Sequence, residues 1–198
     1  MTRRRRLAAV WLVLAGLAVA IGAIEYRDHR VAASDAAGAR ESRRLLPVPL
    51  AQLGAIEIAD AGRLHRFERD ATGAWFYHGV HATGTAAHSH VVDPALAERI
   101  ERAFAAFDRT RIERQFPLGG DAAVYGVATP DILVLVYRPN ESQPLAQYAI
   151  GGIAPDTVSR YVTLVGSRTV VTIANYQIDN LMALVQAAVE RARTGATS

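Results

Sequence analysis

An uninterrupted apolar segment near the N-terminus constrains this chain more than any other feature. Residues 7–24 form a run of 18 residues without a charge, directly after Arg3–Arg6 and directly before Glu25. A helix of that length spans about 27 Å, close to the hydrocarbon thickness of a bilayer. A helix of a soluble core would show a polar stripe, which this run lacks. The sequence therefore predicts a transmembrane helix over residues 7–24.

The charges that flank this segment predict its orientation. Arginines are retained on the cytoplasmic side, so the N-terminal cluster predicts a single-pass protein of the bacterial inner membrane with its C-terminal domain in the periplasm. Arg27 and Arg30 on the far side reduce this asymmetry. A cleaved signal peptide is the alternative, because Ala18-Val19-Ala20 resembles a cleavage site. The apolar run exceeds the usual signal-peptide length of about 7–15 residues, which favours a retained anchor.

The composition excludes several classes of protein. There are 22 basic residues, all arginine, against 19 acidic ones. Without Arg3–Arg6 the balance is 18 to 19, so we expect no nucleic-acid partner. The absence of cysteine excludes disulfides, thiolate metal sites and cysteine nucleophiles. Alanine and arginine enrichment is typical of a GC-rich bacterial genome and carries no functional information.

The chain divides into four segments by composition. Residues 1–24 hold the arginine cluster and the anchor, 25–46 form a polar, alanine-rich stalk, 47–192 form the folded domain, and 193–198 are a tail. Alternation of apolar and polar residues predicts a strand at 55–59, and the apolar run at 131–137 predicts a buried strand. Short runs bounded by turn residues predict further strands at 64–68, 74–78, 145–150, 160–165 and 169–173. The order of elements predicts an α+β fold with a largely antiparallel sheet: a β-meander, a helix, further strands and a C-terminal helix.

Two segments of the folded domain show helical periodicity. The first begins with Asp93 as N-cap and Pro94 at the first helical position, and the second begins with Asn175 as its cap. The apolar faces consist of Leu96, Ile100, Ala103, Phe104 and Phe107 in the first helix and of Ile178, Leu181, Met182, Val185, Ala188 and Val189 in the second.

Residues 109–116 follow the first helix and predict an edge strand or extended segment. Arg109, Arg111 and Arg114, with Glu113 among them, make this segment strongly charged. One interpretation is a docking strip for an acidic partner or for lipid headgroups. The favoured interpretation is a solvated edge strand that its charges protect from aggregation.

A resemblance to a known family rests on short motifs in a fixed order over residues 47–187. The motifs are Ile56 and Ile58, Gly73 and Trp75, Arg109 or Arg111 to Arg114, Tyr125 to Pro130, Ala149 to Gly151, Arg160 to Val162, and Ile178 to Leu181. On these motifs the chain resembles the bacterial DUF4340 domain family. The resemblance implies an extracytoplasmic module behind a membrane anchor, of a kind that in some cases accompanies ABC-type transporters. It carries over no catalytic residues.

Four of the six histidines lie within 13 residues and form a candidate metal site: His78, His81, His88 and His90. Neutral imidazoles bind Cu(II), Zn(II) and Ni(II), so these histidines predict a His/carboxylate site, with Asp93 as a further ligand. The alternative is a solvated loop before the first helix, since no fixed metal-binding spacing is present.

The sequence contains no recognised catalytic motif. The GxSxG, GxxxxGK[ST] and GxGxxG patterns are missing, and Ser89 between two histidines is not by itself a catalytic triad. The favoured interpretation is therefore a non-enzymatic, membrane-anchored accessory domain of a transport or cell-envelope complex. A periplasmic metal-binding protein is the first alternative, and a hydrolase with an unrecognised site is the second.

Overall fold

The computed structural model describes Gly22 and residues 25–27, 43–80, 93–120 and 122–195. The chain divides into two compact units, Met1–Arg43 and Arg44–Ser198. In the first unit, Gly22 and residues 25–27 are helical. The predicted anchor, apart from Gly22, and most of the stalk lie outside the described residues. Within the described residues, no helix is both long and apolar enough to cross a membrane.

The second unit contains one sheet of eight antiparallel strands, with the order β3-β2-β1-β5-β6-β7-β8-β4. The strands are β1 (Ala55–Asp60), β2 (Arg63–Arg69), β3 (Trp75–Val80), β4 (Arg114–Pro117), β5 (Ile132–Tyr137), β6 (Ala146–Ile153), β7 (Ser159–Leu164) and β8 (Thr169–Ala174). The meander β1–β3 joins the later strands where β1 pairs with β5.

Two helices share the main hydrophobic core with alternate residues of the strands: α1 (Pro94–Asp108) and α2 (Asn175–Gly195). Short 3₁₀ helices occur at Leu50–Gln52 and Ala122–Tyr125. Ile56 and Ile58 belong to this core, so the residues between and beside them face the opposite side of the sheet.

The predicted α+β fold, its antiparallel sheet and its C-terminal helix are confirmed. Asp93 caps α1 as predicted, because its Oδ1 accepts hydrogen bonds from the backbone of Ala95 and Leu96. Asn175 is itself the first residue of α2, and its amide nitrogen donates to Asp179.

The predicted edge strand is shorter than the sequence pattern indicated. Its first residues continue the hydrogen bonding of α1 instead. The backbone nitrogens of Arg109 and Thr110 donate to the carbonyls of Ala106 and Phe107 near the C-terminus of that helix. Arg114–Pro117 pairs with β8 at the outer edge of the sheet, and the Glu113 backbone nitrogen also donates to the Thr172 carbonyl of β8.

A second, smaller cluster lies on the face opposite the helices and includes Val127, Ala149 and Val170. The Tyr125–Gly126 backbone crosses this face in direct contact with Gly151. A Cβ at Gly151 would lie 2.1 Å from the Tyr125 carbonyl oxygen. Gly126 has a φ of +71°, a left-handed conformation that favours glycine. Gly126 and Gly151, two of the three glycines in the motifs that carry the family resemblance, thus have a structural role.

Candidate functional site

Among the four candidate histidines, His78 is the one that the structure describes. It lies on β3, and its Nδ1 is 3.1 Å from Oε2 of Glu68 on β2. Its side chain is partly exposed. Asp93, the further predicted ligand, caps α1 and accepts a hydrogen bond from Arg191. His81, His88 and His90 lie outside the described residues. Within the described part of the chain, no three His, Asp or Glu side chains are grouped closely enough to hold a metal ion.

Glu68 belongs to a polar network on the face opposite the helices, which also contains Arg66, Glu57 and Tyr137. The Nε of Arg66 donates to Glu68 Oε1 at 2.5 Å, and its Nη1 donates to Glu57 Oε1 at 2.8 Å. The hydroxyl of Tyr137 donates to Glu57 Oε2 at 2.5 Å. The guanidinium also lies over the Tyr137 ring, 5.1 Å from its centroid.

Burial makes the pairing within this network strong. Glu57 is only 3% exposed, so an unpaired carboxylate there would be costly. Burial and then the hydrogen bond to Glu57 raise the pKa of Tyr137 above its ordinary value, so the phenol stays protonated at neutral pH. Burial opposes the charge of Arg66, but its hydrogen bonds to Glu57 and Glu68 outweigh this effect and raise its pKa.

The network holds the carboxylate of Glu68 beside the imidazole of His78. Arg66 engages both carboxylates, so Glu68 is held by a charged partner while its second oxygen faces His78. A carboxylate beside a metal-binding histidine orients the ring and selects the ring nitrogen that binds. The sequence analysis missed this network. Its local signal was that the charged residues Glu57, Arg66 and Glu68 alternate with apolar residues along two predicted strands, which places them on the face opposite the apolar ones.

The charged segment around Arg114 is engaged in local contacts. Arg114 Nη2 lies 3.6 Å from Asp156 Oδ2, and Glu113 Oε2 is 2.8 Å from the hydroxyl oxygen of Ser159. These contacts favour the interpretation of a charge-protected edge strand. Trp75 is buried in the core against Phe104, as expected if one face of its strand packs inward.

Three exposed apolar side chains lie at one end of the sheet, where the β6–β7 turn meets the start of α2. Ile153, Val158 and Tyr176 are 54%, 67% and 60% exposed. The Asn175 backbone nitrogen donates to the Val158 carbonyl at 2.7 Å, which fixes the turn against the helix. We call Ile153, Val158 and Tyr176 the end patch. Sequence reasoning missed it because these residues fall outside the predicted apolar faces.

No family model, curated protein or solved structure gives a significant match to this chain. The resemblance to the DUF4340 family therefore stays a prediction that rests on the motifs themselves.

Proposed function

We propose that this chain is a non-enzymatic accessory protein, anchored in the bacterial inner membrane through residues 7–24, whose periplasmic domain binds a protein partner of a transport or cell-envelope complex. The apolar N-terminal segment and the DUF4340 resemblance support the anchor and the compartment. The end patch supports the binding role and is the observation on which this proposal rests.

Contiguous exposed apolar residues with a polar border are typical of protein interaction sites, whereas isolated ones are common on any surface. Ile153 pairs with Arg160 across the β6–β7 ladder, and the Ala154 nitrogen donates to the Ser159 carbonyl at 2.8 Å. This turn brings Ile153 and Val158 to the same end of the sheet. Asp156 lies within the turn, where its Oδ1 accepts hydrogen bonds from the backbone nitrogens of Val158 and Ser159.

Site-specific photo-crosslinking in intact cells tests the binding role. A photoreactive phenylalanine analogue replaces Val158, and a matched control replaces Val165, which is 53% exposed at the opposite end of β7. We expect one crosslinked species of defined mass from position 158 and none from 165. Equal crosslinking at both positions, or none at either, would overturn the proposal.

Protease accessibility tests the proposed topology separately. We expect the full-length protein to stay in the membrane after an alkaline wash, and the domain to be degraded only when the outer membrane is opened. A shortened, soluble protein that begins near residue 21 would instead identify the segment as a cleaved signal peptide.

A second candidate function is metal binding by His78, His81, His88 and His90, because Glu68 lies 3.1 Å from the imidazole of His78. Equilibrium dialysis against Cu(II), Zn(II) or Ni(II) tests it. We expect about one equivalent bound by the wild type and none by the His88→Ala/His90→Ala variant. A wild type that binds no metal, or an unchanged variant, would rule this function out.

A further inference from the structure

His65 is a buried histidine that neither proposed function uses. It lies on β2 opposite Ile58, on the helix side of the sheet, and is 1% exposed. Its Nδ1 is 2.8 Å from the hydroxyl oxygen of Tyr77 on β3. Its Nε2 has no hydrogen-bond partner among the residues that the structure describes. Protonation would place N–H groups on both ring nitrogens and leave a buried cationic donor unpaired, which is costly.

The charged groups near the imidazole do not compensate for this cost. Burial and then Arg63 on the same strand lower the pKa of His65 below its ordinary value of 6.5, and Asp60 on β1 opposes them only in part. Burial raises the pKa of Tyr77 to about 12, so its hydroxyl keeps its proton throughout the acidic and neutral range. These are the charged and titratable groups of the described residues that face the imidazole.

Tyr77 lies on an edge strand of the sheet. β3 is the outermost strand on its side and pairs with β2 alone among the described strands. The β2–β3 register shifts between Arg66 and Phe67, and Gly79 has a φ of +110°. Opening this end would expose His65 to water while β1 and its neighbours stay paired.

We propose that His65 and Tyr77 form an acid-sensitive latch, which holds the end of β3 at neutral pH and releases residues 77–80 from β2 at mildly acidic pH. The released imidazole takes up its proton in water. Because the closed state binds this proton less readily than the open state, closure is favoured above about pH 6.5 and weakens as the pH falls. Residues 81–92, which carry three of the candidate metal ligands, follow β3 directly in the chain.

Hydrogen exchange of the detergent-solubilised full-length protein tests the latch. Exchange at residues 75–80, corrected for the intrinsic rate, is compared at pH 7.5 and pH 5.5. For a group of pKa 6.5 in the open state, we expect the opening equilibrium to rise by up to about tenfold, with no change in β5 and β6. His65→Gln should abolish the response. His29→Gln, which removes a histidine of the predicted stalk, should retain it.

An unchanged response in His65→Gln, no response in the wild type, or equal opening of β5 and β6 would overturn the latch. His65→Phe, which keeps an aromatic ring in the same space, provides a second test. It should also remove the pH response, and a variant that retains the response would assign it to another group.

Discussion

The hydroxyl of Tyr137 lies 2.5 Å from a carboxylate oxygen of Glu57, although 80 positions separate the two residues. Pairing of β1 with β5 sets Ala55 opposite Tyr137, which places Glu57 diagonally across from the phenol on the same face. The buried carboxylate thereby gains a neutral donor in addition to the guanidinium of Arg66. This contact joins the meander to the later strands through side chains as well as through the backbone.

Tyr137→Phe should therefore lower the free energy of unfolding by about 1.5–3 kcal/mol, the usual contribution of a hydrogen bond to a charged group. Chemical denaturation measures this difference. Tyr176→Phe, at an exposed tyrosine, is the matched control and should change stability by less than about 0.5 kcal/mol. Equal effects of the two substitutions would show that the contact with Glu57 is not stabilising.

Substitutions of two neighbouring glycines, Gly151 and Gly152, test how closely the backbone at Tyr125 packs against the sheet. In Gly151→Ala the new methyl group would lie 2.1 Å from the Tyr125 carbonyl oxygen, whereas in Gly152→Ala it would lie 3.9 Å away. We expect Gly151→Ala to destabilise the domain by about 1–3 kcal/mol because the backbone must move. Gly152→Ala should be nearly neutral. Thermal unfolding of both variants distinguishes the two positions, and similar melting temperatures would contradict the packing.

Acid stability should depend on Asp156. Hydrogen bonds from the backbone and then the hydroxyl of Ser159 lower the pKa of this aspartate below its ordinary value of 3.8. The unfolded chain therefore takes up this proton first as the pH falls, so the stabilisation is present above about pH 4 and is lost at lower pH.

Asp156→Asn should accordingly show a smaller loss of stability between pH 5 and pH 2.5 than the wild type. Urea denaturation across that pH range provides the measurement. Asp179→Asn, whose carboxylate accepts from the side chain of Asn175, serves as the control. An Asp156→Asn profile identical to the wild-type profile would contradict the assigned role of Asp156.

Short sequence patterns predicted the helices and strands because residues close together in the chain determine where each of them forms. The apolar spacing of Ile100, Phe104 and Phe107 and the cap at Asp93 define α1 without reference to the rest of the chain. For residues 109–116 the sequence predicted an edge strand or extended segment, and the strand itself covers Arg114–Pro117. The charge pattern does not reveal that the backbone nitrogens of Arg109 and Thr110 still bind carbonyls at the end of α1. Charge and spacing alone therefore could not place the start of β4 at Arg114.

The candidate site depends on pairing between distant strands, which the sequence does not encode locally. Glu57 and Tyr137 meet only because β1 lies between β2 and β5. His65 and His78 belong to neighbouring strands yet face opposite sides of the sheet, because Phe67 lies opposite Tyr77 and side chains alternate along each strand. For the same reason, the end patch becomes recognisable only once β6, β7 and the start of α2 are assembled.

Capture of the full-length protein from detergent-extracted membranes of its source cells tests the central proposal most directly. The wild type is compared with a Val158→Asp/Tyr176→Asp variant of the end patch and with Val165→Asp as a control, and co-purified proteins are quantified by mass spectrometry. We predict a stoichiometric envelope partner with the wild type and the control, and its loss with the end-patch variant. Recovery of the wild type alone, or of the partner in equal amounts with all three proteins, would contradict the proposal.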